Sequence, residues 1–212
     1  MKFSEQEIRK QIKDAGVQML NENLVQGTWG NISIRLDENR MLVTPSGLDY
    51  VSLKPEDLPI VDIHTLEWTG PKKPTSERKI HAAILAARPE INVVLHSHPT
   101  QCAIMASTRQ TLPCVSDKMK KYVGGDAKCA KYGIAGTKKL TKNTIAAIQG
   151  RNACLLANHG VFACGATLED AFEACRAMEE GSKAYIEQKT VEAMNAKQYS
   201  PELSIELFKK RK

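Results

Sequence analysis

Two histidines separated by a single residue are the first feature of the chain that could do chemistry. His96 and His98 follow the apolar run 93–95. Successive side chains of an extended strand point to opposite faces, so the two imidazoles should project together while Ser97 points away. Two neutral imidazoles on one face supply half of a tetrahedral zinc shell. The alternative is a partly buried histidine pair that is satisfied by hydrogen bonds alone.

A third histidine occupies a matching context. A second apolar run, 153–157, is followed two residues later by His159. If the two runs form strands of one sheet, His159 can approach His96 and His98. A third imidazole would nearly complete the tetrahedral shell. The sequence therefore predicts a metal site formed by these three histidines.

Two loops and one helix start are candidates for binding an anion. The loop 26–31 contains two glycines, and the turn 45–47 combines a hydroxyl with an exposed amide, so both could form a nest of backbone donors. A helix should begin after Pro74 with Thr75 or Ser76 as its cap, and its free amides would also attract an anion. Plain tight turns are the alternative for each loop taken singly.

One carboxylate belongs to the same helix start. Glu77 falls in the predicted first turn, where the helix dipole favours a negative charge whether or not it has a catalytic role. Four residues on, His81 shares a helix face with Glu77 and could contact it or bind the metal. A hydrogen-bonded histidine on the helix face is the simpler interpretation of His81.

Hydrophobic periodicity and capping patterns predict helices alternating with short strands. Ser4 and Glu7 form a capping box for a first helix that ends near Asn23. We expect an α/β fold, one domain over residues 1–212 with helices on both faces of a central sheet, and a flexible basic tail over 200–212. Further helices are predicted over 78–87, 99–107, 138–148, 167–188 and 202–210, and strands over 31–36, 40–44, 58–63, 93–98, 112–115, 153–157 and 161–164.

Composition and charge narrow the possible functions. The chain has 212 residues, a net charge of +6 and 42% hydrophobic residues, which are ordinary values for a globular protein. Positive charge is concentrated in 117–142 and 209–212, so the pervasive basic surface of a nucleic-acid binder is absent and no nucleic acid is expected as a partner. No apolar run approaches the ~20 residues that span a bilayer, and residues 1–5 lack the apolar core of a signal peptide. We therefore expect a cytoplasmic protein with no membrane partner.

Five short motifs follow one another along the chain: Gly27-Thr28-Trp29-Gly30-Asn31-Ile32-Ser33, Thr44-Pro45-Ser46-Gly47, Ser76-Glu77, His96-Ser97-His98 and Asn158-His159-Gly160-Val161. In order and spacing they closely resemble those of the class II aldolase/adducin family, and within it the L-fuculose-1-phosphate aldolases. The resemblance covers roughly residues 5–190, and five motifs in order are far more specific than any one of them.

The resemblance implies a central, largely antiparallel sheet, one zinc ion per subunit and a homotetramer whose active sites lie between neighbouring subunits. It implies that His96, His98 and His159 bind the zinc, and that Glu77 occupies the fourth position of the metal and acts as acid and base. The residues that match the substrate phosphate pocket of the family are Gly30, Asn31, Ser46, Gly47, Thr75 and Ser76.

By the same resemblance, the chain is expected to cleave a ketose 1-phosphate to dihydroxyacetone phosphate and an aldehyde. L-Fuculose 1-phosphate, which would yield L-lactaldehyde, is the favoured substrate. The alternatives on the same scaffold are a 5-deoxyribulose-phosphate aldolase, a methylthioribulose-phosphate dehydratase and a ribulose-phosphate 4-epimerase. Because the epimerase carries aspartate at the position of Glu77, glutamate favours an aldolase. A non-catalytic module of the adducin kind is the alternative from a different class.

One residue of the family pattern has no direct match. The resemblance implies a tyrosine just after residues 112–113 that protonates the aldehyde oxygen in the site of a neighbouring subunit. This chain has Cys114 and Val115 there, and Tyr122 is the nearest substitute. Tyr122 is therefore the expected proton donor.

Overall fold

The computed structural model describes residues 3–195. The predicted basic tail 200–212 and the predicted helix 202–210 lie outside the described residues.

One mixed sheet organises the described part of the chain. The strands run in the order β4-β3-β2-β1-β5-β8-β7-β6, and within residues 3–195 all neighbours are antiparallel except β6 and β7. The strands are β1 (Asn31–Arg35), β2 (Arg40–Val43), β3 (Ile60–Asp62), β4 (Trp68–Thr69), β5 (Val93–Ser97), β6 (Cys129–Ala130), β7 (Ala153–Leu156) and β8 (Gly160–Gly165). The predicted α/β fold with a largely antiparallel sheet is confirmed.

Helices cover both faces of this sheet, as predicted. One apolar core contains residues of α1, α3, α4 and α6, and a second contains residues of α2 and α5. The helices are α1 (Glu5–Asn21), α2 (Arg78–Ala87), α3 (Thr100–Thr108), α4 (Asp117–Tyr122), α5 (Lys138–Ile148) and α6 (Leu168–Asn195), with a short 3-10 helix at Pro55–Asp57.

The central strand β5 shows why two cores form. All five of its residues are buried, and their side chains alternate between the faces, since Leu95 belongs to the first core and Val94 to the second. Ser97 points to the first core, where its hydroxyl lies 3.1 Å from the Cys175 thiol of α6. His96, one residue earlier, must therefore point to the opposite face, as the alternation predicted.

The predicted strand over 112–115 is wrong. Leu112 makes a single antiparallel bridge with Ala127, and the pairing stops there. Pro113 has no N–H to continue a ladder, and the Cys114 N–H donates to the Asp126 carboxylate at 2.8 Å instead. The region that follows forms α4 and the short β6, neither of which the weak periodicity of the segment predicted.

The boundaries of the other predicted helices and strands lie within a few residues of the observed ones, apart from the end of α6. Thr167 caps this helix as predicted, its hydroxyl accepting from the Asp170 N–H at 3.1 Å, but α6 continues to Asn195. Among the described residues all six cysteines are free thiols. No helix within the described range combines the length and apolarity needed to cross a membrane.

Candidate metal centre and substrate cleft

The structure brings the three predicted histidines together. His96 lies near the end of β5, His98 directly follows that strand, and His159 lies in the turn between β7 and β8. One ring nitrogen from each of the three lies within 4.8 Å of the others. The arrangement matches the predicted metal site.

The backbone of the β7–β8 turn delivers His159 to this point. Asn158 adopts a left-handed conformation with φ 58°, which asparagine tolerates better than most residues. Its N–H donates to the Ala106 carbonyl of α3 at 3.1 Å, so the turn is fixed against that helix. A side chain at Gly160 would collide with the Ser97 carbonyl and the His98 ring, so glycine is required for the close approach.

A buried carboxylate completes the set of possible ligands. Glu77 is 5% exposed, and its Oε2 lies 3.1 Å from His96 Nε2 while its Oε1 lies 3.9 Å from His159 Nε2. Glu77 was predicted to lie in the first turn of α2. It is instead the N-cap, one position before the helix, and its side chain makes no capping bond. The carboxylate is free to face the histidines because it does not cap its own helix.

The predicted caps of α2 are also corrected. Neither Thr75 nor Ser76 is the N-cap, since Glu77 occupies that position. The Thr75 hydroxyl instead accepts from the Glu77 N–H at 3.3 Å. Thr75 therefore holds the backbone that carries the carboxylate.

Unpaired buried atoms show that the residues fit a divalent metal. Among the described residues, Glu77 Oε1, His96 Nε2 and His98 Nδ1 are buried and have no hydrogen-bond partner. His96 Nδ1 lies 3.0 Å from the Val161 carbonyl, so it carries the proton and leaves a lone pair on Nε2. That lone pair faces a carboxylate oxygen, and two acceptors 3.1 Å apart need a cation or proton beside them. Three imidazoles and a carboxylate are ligands that zinc accepts.

The pKa values of two of these imidazoles are lowered, which favours the neutral form that binds a metal. Burial lowers the pKa of His96 well below its usual value, and the neighbouring His98 and His159 lower it further. Burial also lowers the pKa of His98, with His159 as the next cause. Metal ligands must be deprotonated, so at neutral pH these two rings can bind a cation without first losing a proton.

A cleft of about 840 Å³ opens over the histidines. His98, His159 and Glu77 line it, together with all six residues of the predicted phosphate pocket. Those six come from the loop before β1 and the first residue of that strand, the turn after β2 and the segment before α2. The predicted phosphate residues thus share one cavity with His98, His159 and Glu77.

Hydrogen bonds refine the predicted phosphate pocket. The Ser46 N–H donates to the Lys73 carbonyl at 2.9 Å and the Thr75 N–H to the Thr44 carbonyl at 3.1 Å, so these two amides join the segments and are not available to an anion. The amides of Gly47 and Ser76 make no hydrogen bond within residues 3–195. Gly47 has φ 72°, which favours glycine in this turn.

Asn31, one of the predicted phosphate residues, also makes two buried side-chain contacts. Its Nδ2 donates to Glu77 Oε2 at 3.1 Å, and its Oδ1 lies 2.5 Å from His81 Nε2. His81 is fully buried and also contacts Ser33, so the interpretation of His81 as a hydrogen-bonded helix histidine is confirmed. Sequence reasoning gave Ser33 no role, although it ends the first family motif, because no local pattern indicates its contact with His81.

The helix α3 forms a wall of the cleft that the sequence did not indicate as functional. Its residues Thr100, Ala103, Ile104 and Ser107 line the cavity, with the spacing of one helix face. Ser107 uses its hydroxyl to donate to the Ile104 carbonyl at 2.7 Å. Ala103 and Ile104 form the apolar part of this wall, and Thr100 adds a hydroxyl. The signal was present in the sequence as an i, i+3, i+4, i+7 pattern directly after the two histidines.

Tyr122 is not brought into the cleft of its own chain. It lies at the end of α4, where its carbonyl accepts from Asn152 Nδ2 at 3.0 Å, and it lines a different cavity with Gly165. Gly165 pairs with Val93 at the start of β5, the opposite end of the strand from the histidines. A role for Tyr122 in a neighbouring subunit stays a prediction.

Comparisons with known proteins find relatives over most of the chain. A family described as "Class II Aldolase and Adducin N-terminal domain" matches residues 10–186. The chain is 36% identical over 178 residues to a 5-methylthioribulose-1-phosphate/5-deoxyribulose-1-phosphate aldolase of Rhodospirillum rubrum, covering 84% of this chain and 80% of the relative. It is 33% identical to a 5-deoxy-D-ribulose 1-phosphate aldolase of Bacillus thuringiensis serovar kurstaki, covering 88% and 87%. Its fold is similar to a solved L-fuculose 1-phosphate aldolase, with a TM-score of 0.83, 32% identity and 87% of each chain covered.

Proposed function

Because the chain belongs to the class II aldolase and adducin family, we propose that it is a zinc-dependent aldolase that cleaves a ketose 1-phosphate to dihydroxyacetone phosphate and an aldehyde. The observation that carries the proposal is the buried Glu77 carboxylate, which lies 3.1 Å from an imidazole of the histidine cluster in a cleft that also holds the predicted phosphate residues. A non-catalytic module would need neither the buried carboxylate nor the histidine cluster.

The reaction breaks the bond between C3 and C4 of the sugar. A divalent metal held by His96, His98 and His159 would supply Lewis-acid stabilisation of the negative charge that develops on cleavage. As the bond breaks, the C4 hydroxyl releases its proton and becomes the aldehyde oxygen, and the protonated Glu77 carboxyl gives a proton to C3 and completes dihydroxyacetone phosphate. In the reverse direction the Glu77 carboxylate removes that C3 proton, and the aldehyde oxygen takes a proton from a donor for which Tyr122 is the candidate. No lysine lines the cleft among the described residues, so a Schiff base to a lysine is not part of this proposal.

The phosphate end of the substrate positions the reacting end. In our proposal, the free amides of Gly47 and Ser76 and the hydroxyl of Ser46 receive the phosphate at the side of the cleft formed by the turn after β2. Binding energy from this non-reacting end fixes the C3–C4 bond relative to Glu77. Exposed lysines of the segment 117–142 would favour the approach of an anionic sugar phosphate.

The other end of the substrate faces the α3 wall. In the sheet, β5 and β8 lie between β1 and β7. The helix α3 is joined to the β7–β8 turn through Ala106. It therefore lies on the side of the cleft away from the turn after β2, where the phosphate is proposed to bind. Ala103 and Ile104 offer no polar group to a terminal hydroxyl, which favours an aldehyde that ends in an apolar group. L-Fuculose 1-phosphate, 5-deoxyribulose 1-phosphate and 5-methylthioribulose 1-phosphate all end in a methyl or methylthio group.

A specific observation favours the pentulose substrates as a second candidate. The names of the two sequence relatives reported above are those of 5-deoxyribulose-phosphate and 5-methylthioribulose-phosphate aldolases. L-Fuculose 1-phosphate was favoured by the motifs, and it stays a candidate through the solved aldolase of similar fold. The dehydratase and epimerase alternatives share the scaffold but release no dihydroxyacetone phosphate.

Release of dihydroxyacetone phosphate tests the proposal. We expect chelator-sensitive release from at least one of the three sugar phosphates, and a kcat/KM about 10- to 100-fold lower for D-ribulose 1-phosphate, because its terminal hydroxyl meets the apolar wall. A coupled dehydrogenase assay, run before and after chelation and zinc addition, measures both effects. No release from any of the four, with metal bound, would move the assignment to the epimerase or dehydratase. Release that persists after complete metal removal would reject the metal.

We also propose that the protein is a homotetramer in which Tyr122 acts in the site of a neighbouring subunit. If so, Tyr122→Phe and Glu77→Gln should each be inactive alone, and mixed tetramers should regain activity. Random mixing of equal amounts gives about one quarter of the sites an intact pair, because each site combines two subunits. The measurement is activity after unfolding and refolding the two variants together.

Tyr132→Phe is the matched comparison for this experiment. Tyr132 is 53% exposed and lies three residues before Ala135, which lines the cleft. Loss of activity in Tyr132→Phe together with normal activity in Tyr122→Phe would transfer the proton-donor role to Tyr132. Full activity in both variants would remove the tyrosine from the reaction.

A further inference from the structure

A buried line of hydrogen bonds runs from β1 to the Glu77 carboxylate. The Ser33 hydroxyl lies 2.7 Å from His81 Nδ1, His81 Nε2 lies 2.5 Å from Asn31 Oδ1, and Asn31 Nδ2 lies 3.1 Å from Glu77 Oε2. All four side chains are buried. The line joins residues of β1 to the start of α2, which are more than 40 positions apart in the chain.

The chemistry of the four groups fixes the direction of every bond. Burial lowers the pKa of His81 to about 3, so at neutral pH one of its nitrogens donates and the other accepts. In the structure the NH₂ group of Asn31 faces Glu77 and its carbonyl, which can only accept, faces His81. His81 Nε2 therefore carries the proton, and Nδ1 accepts from the Ser33 hydroxyl.

This order favours one orientation of the Asn31 amide. A flipped amide would place its carbonyl oxygen against the Glu77 carboxylate and its NH₂ group against the protonated nitrogen of His81. Both contacts would be repulsive in that tautomer, and buried polar groups left unpaired are costly. Ser33 and His81 thus support the amide orientation that the carboxylate requires.

The line holds one oxygen of Glu77 and leaves the other free. Oε2 accepts from Asn31, whereas Oε1 is buried and has no partner among the described residues. Asn31 lines the cleft. Its backbone pairs with that of His96 across β1 and β5, which sets the position of Asn31 relative to the histidine cluster. Glu77 is held in this way from the side of the sheet, while its free oxygen faces His159 at 3.9 Å.

We propose that Ser33, His81 and Asn31 are positioning residues that orient the Glu77 carboxylate, with Oε2 held and Oε1 available for proton transfer. The catalytic step that Glu77 performs is taken from the proposed function. The orientation of its carboxylate rests on the hydrogen-bond order alone. It assigns to His81 a role in catalysis that does not require contact with metal or substrate.

His81→Phe tests the inference. Phenylalanine keeps the ring and its edge contact with Phe162, whose centroid lies 5.4 Å away, but it cannot donate to Asn31. We expect kcat to fall about 10- to 100-fold, as for other residues that orient an active-site group, with KM for the sugar phosphate and bound metal little changed. His64→Phe, at an exposed histidine after β3, is the matched control and should keep full activity.

A double variant separates positioning from loss of structure. In a Glu77→Gln background His81→Phe should lower kcat no further, because the group that it positions is already gone. Ser33→Ala is a milder change that keeps the fold and should lower kcat about 2- to 10-fold, the range expected for one hydrogen bond. An unchanged kcat in His81→Phe, or a full additional loss in the double variant, would overturn the proposed role.

The hydrogen-bond order can be measured without any substrate. In the metal-free protein labelled with 15N, the imidazole of His81 should be the neutral form protonated at Nε2. A ring protonated at Nδ1 would contradict the inference even in an active enzyme. Failure of every sugar phosphate to react would instead reject the proposed function and leave this spectrum to decide the geometry.

Discussion

Glu77→Gln should lower kcat for dihydroxyacetone phosphate release by about 100-fold or more, because a positioned general acid and base contributes 10²- to 10⁴-fold. Glutamine has nearly the same shape and can still accept from Asn31 Nδ2, which lies 3.1 Å from the carboxylate in the wild-type protein. It cannot exchange a proton with C3 of the sugar. The cleft should therefore still bind metal and substrate, and the chemical step should be lost.

Two measurements distinguish this loss from a general defect. Bound zinc should stay near the wild-type stoichiometry, and exchange of the C3 proton of dihydroxyacetone phosphate with deuterated water should fall in parallel with kcat. Glu90→Gln is the control, because Glu90 is an exposed carboxylate paired with Arg88 away from the cleft. Wild-type turnover in Glu77→Gln would remove Glu77 from the mechanism.

The histidine cluster could be predicted from the sequence because the positions of its members follow from strand geometry. Side chains of an extended strand alternate, so His96 had to lie opposite to Ser97, and the structure places Ser97 against Cys175 on the other face. The context of His159 after a second apolar run was enough to place it beside them. The fold class followed from the same alternation of apolar runs and helix caps.

The line from Ser33 to Glu77 could not be predicted from the sequence. Ser33 and His81 are separated by 48 positions, and they meet because β1 and α2 pack on each other, which no local pattern specifies. The sequence left open whether His81 contacts Glu77, and in the structure Asn31 lies between the two side chains. The family motif names Asn31 but does not give the direction of its amide.

The limits of motif matching are also visible at the substrate. The likeness to class II aldolases, which rests on short motifs around the metal and phosphate, is confirmed by the match over residues 10–186. Those motifs lie at the proposed reacting centre and the proposed phosphate end. The wall that we propose meets the aldehyde, at Ala103 and Ile104, lies between motifs. In this proposal the choice of sugar depends on residues that the motifs do not include.

His98→Ala should lower bound zinc from about one per subunit to almost none, because the remaining ligands no longer complete a site with three protein imidazoles. His98 suits this experiment better than His96, since His96 is completely buried in the sheet and its removal would also leave a cavity. The wild-type and variant proteins should be compared by elemental analysis after exchange into metal-free buffer. His64→Ala, which removes an exposed histidine, should keep its zinc.

Thermal unfolding gives a second measure of the same ligand set. A metal that binds the folded state alone stabilises it in proportion to the logarithm of its concentration over Kd, by about 4 kcal/mol at 1,000 times Kd. Chelation should therefore lower the Tm of the wild-type protein and leave the Tm of His98→Ala unchanged. Unchanged zinc content and an equal Tm shift in His98→Ala would show that the cluster is a hydrogen-bonded histidine set and that the metal binds elsewhere.

The stability of the metal-free protein should also depend on pH. The pKa values of His96 and His98 are lowered by burial, so the unfolded chain takes up protons at these rings before the folded chain does. Stability from the neutral rings should hold above their unfolded-state pKa and be lost as the pH falls below it.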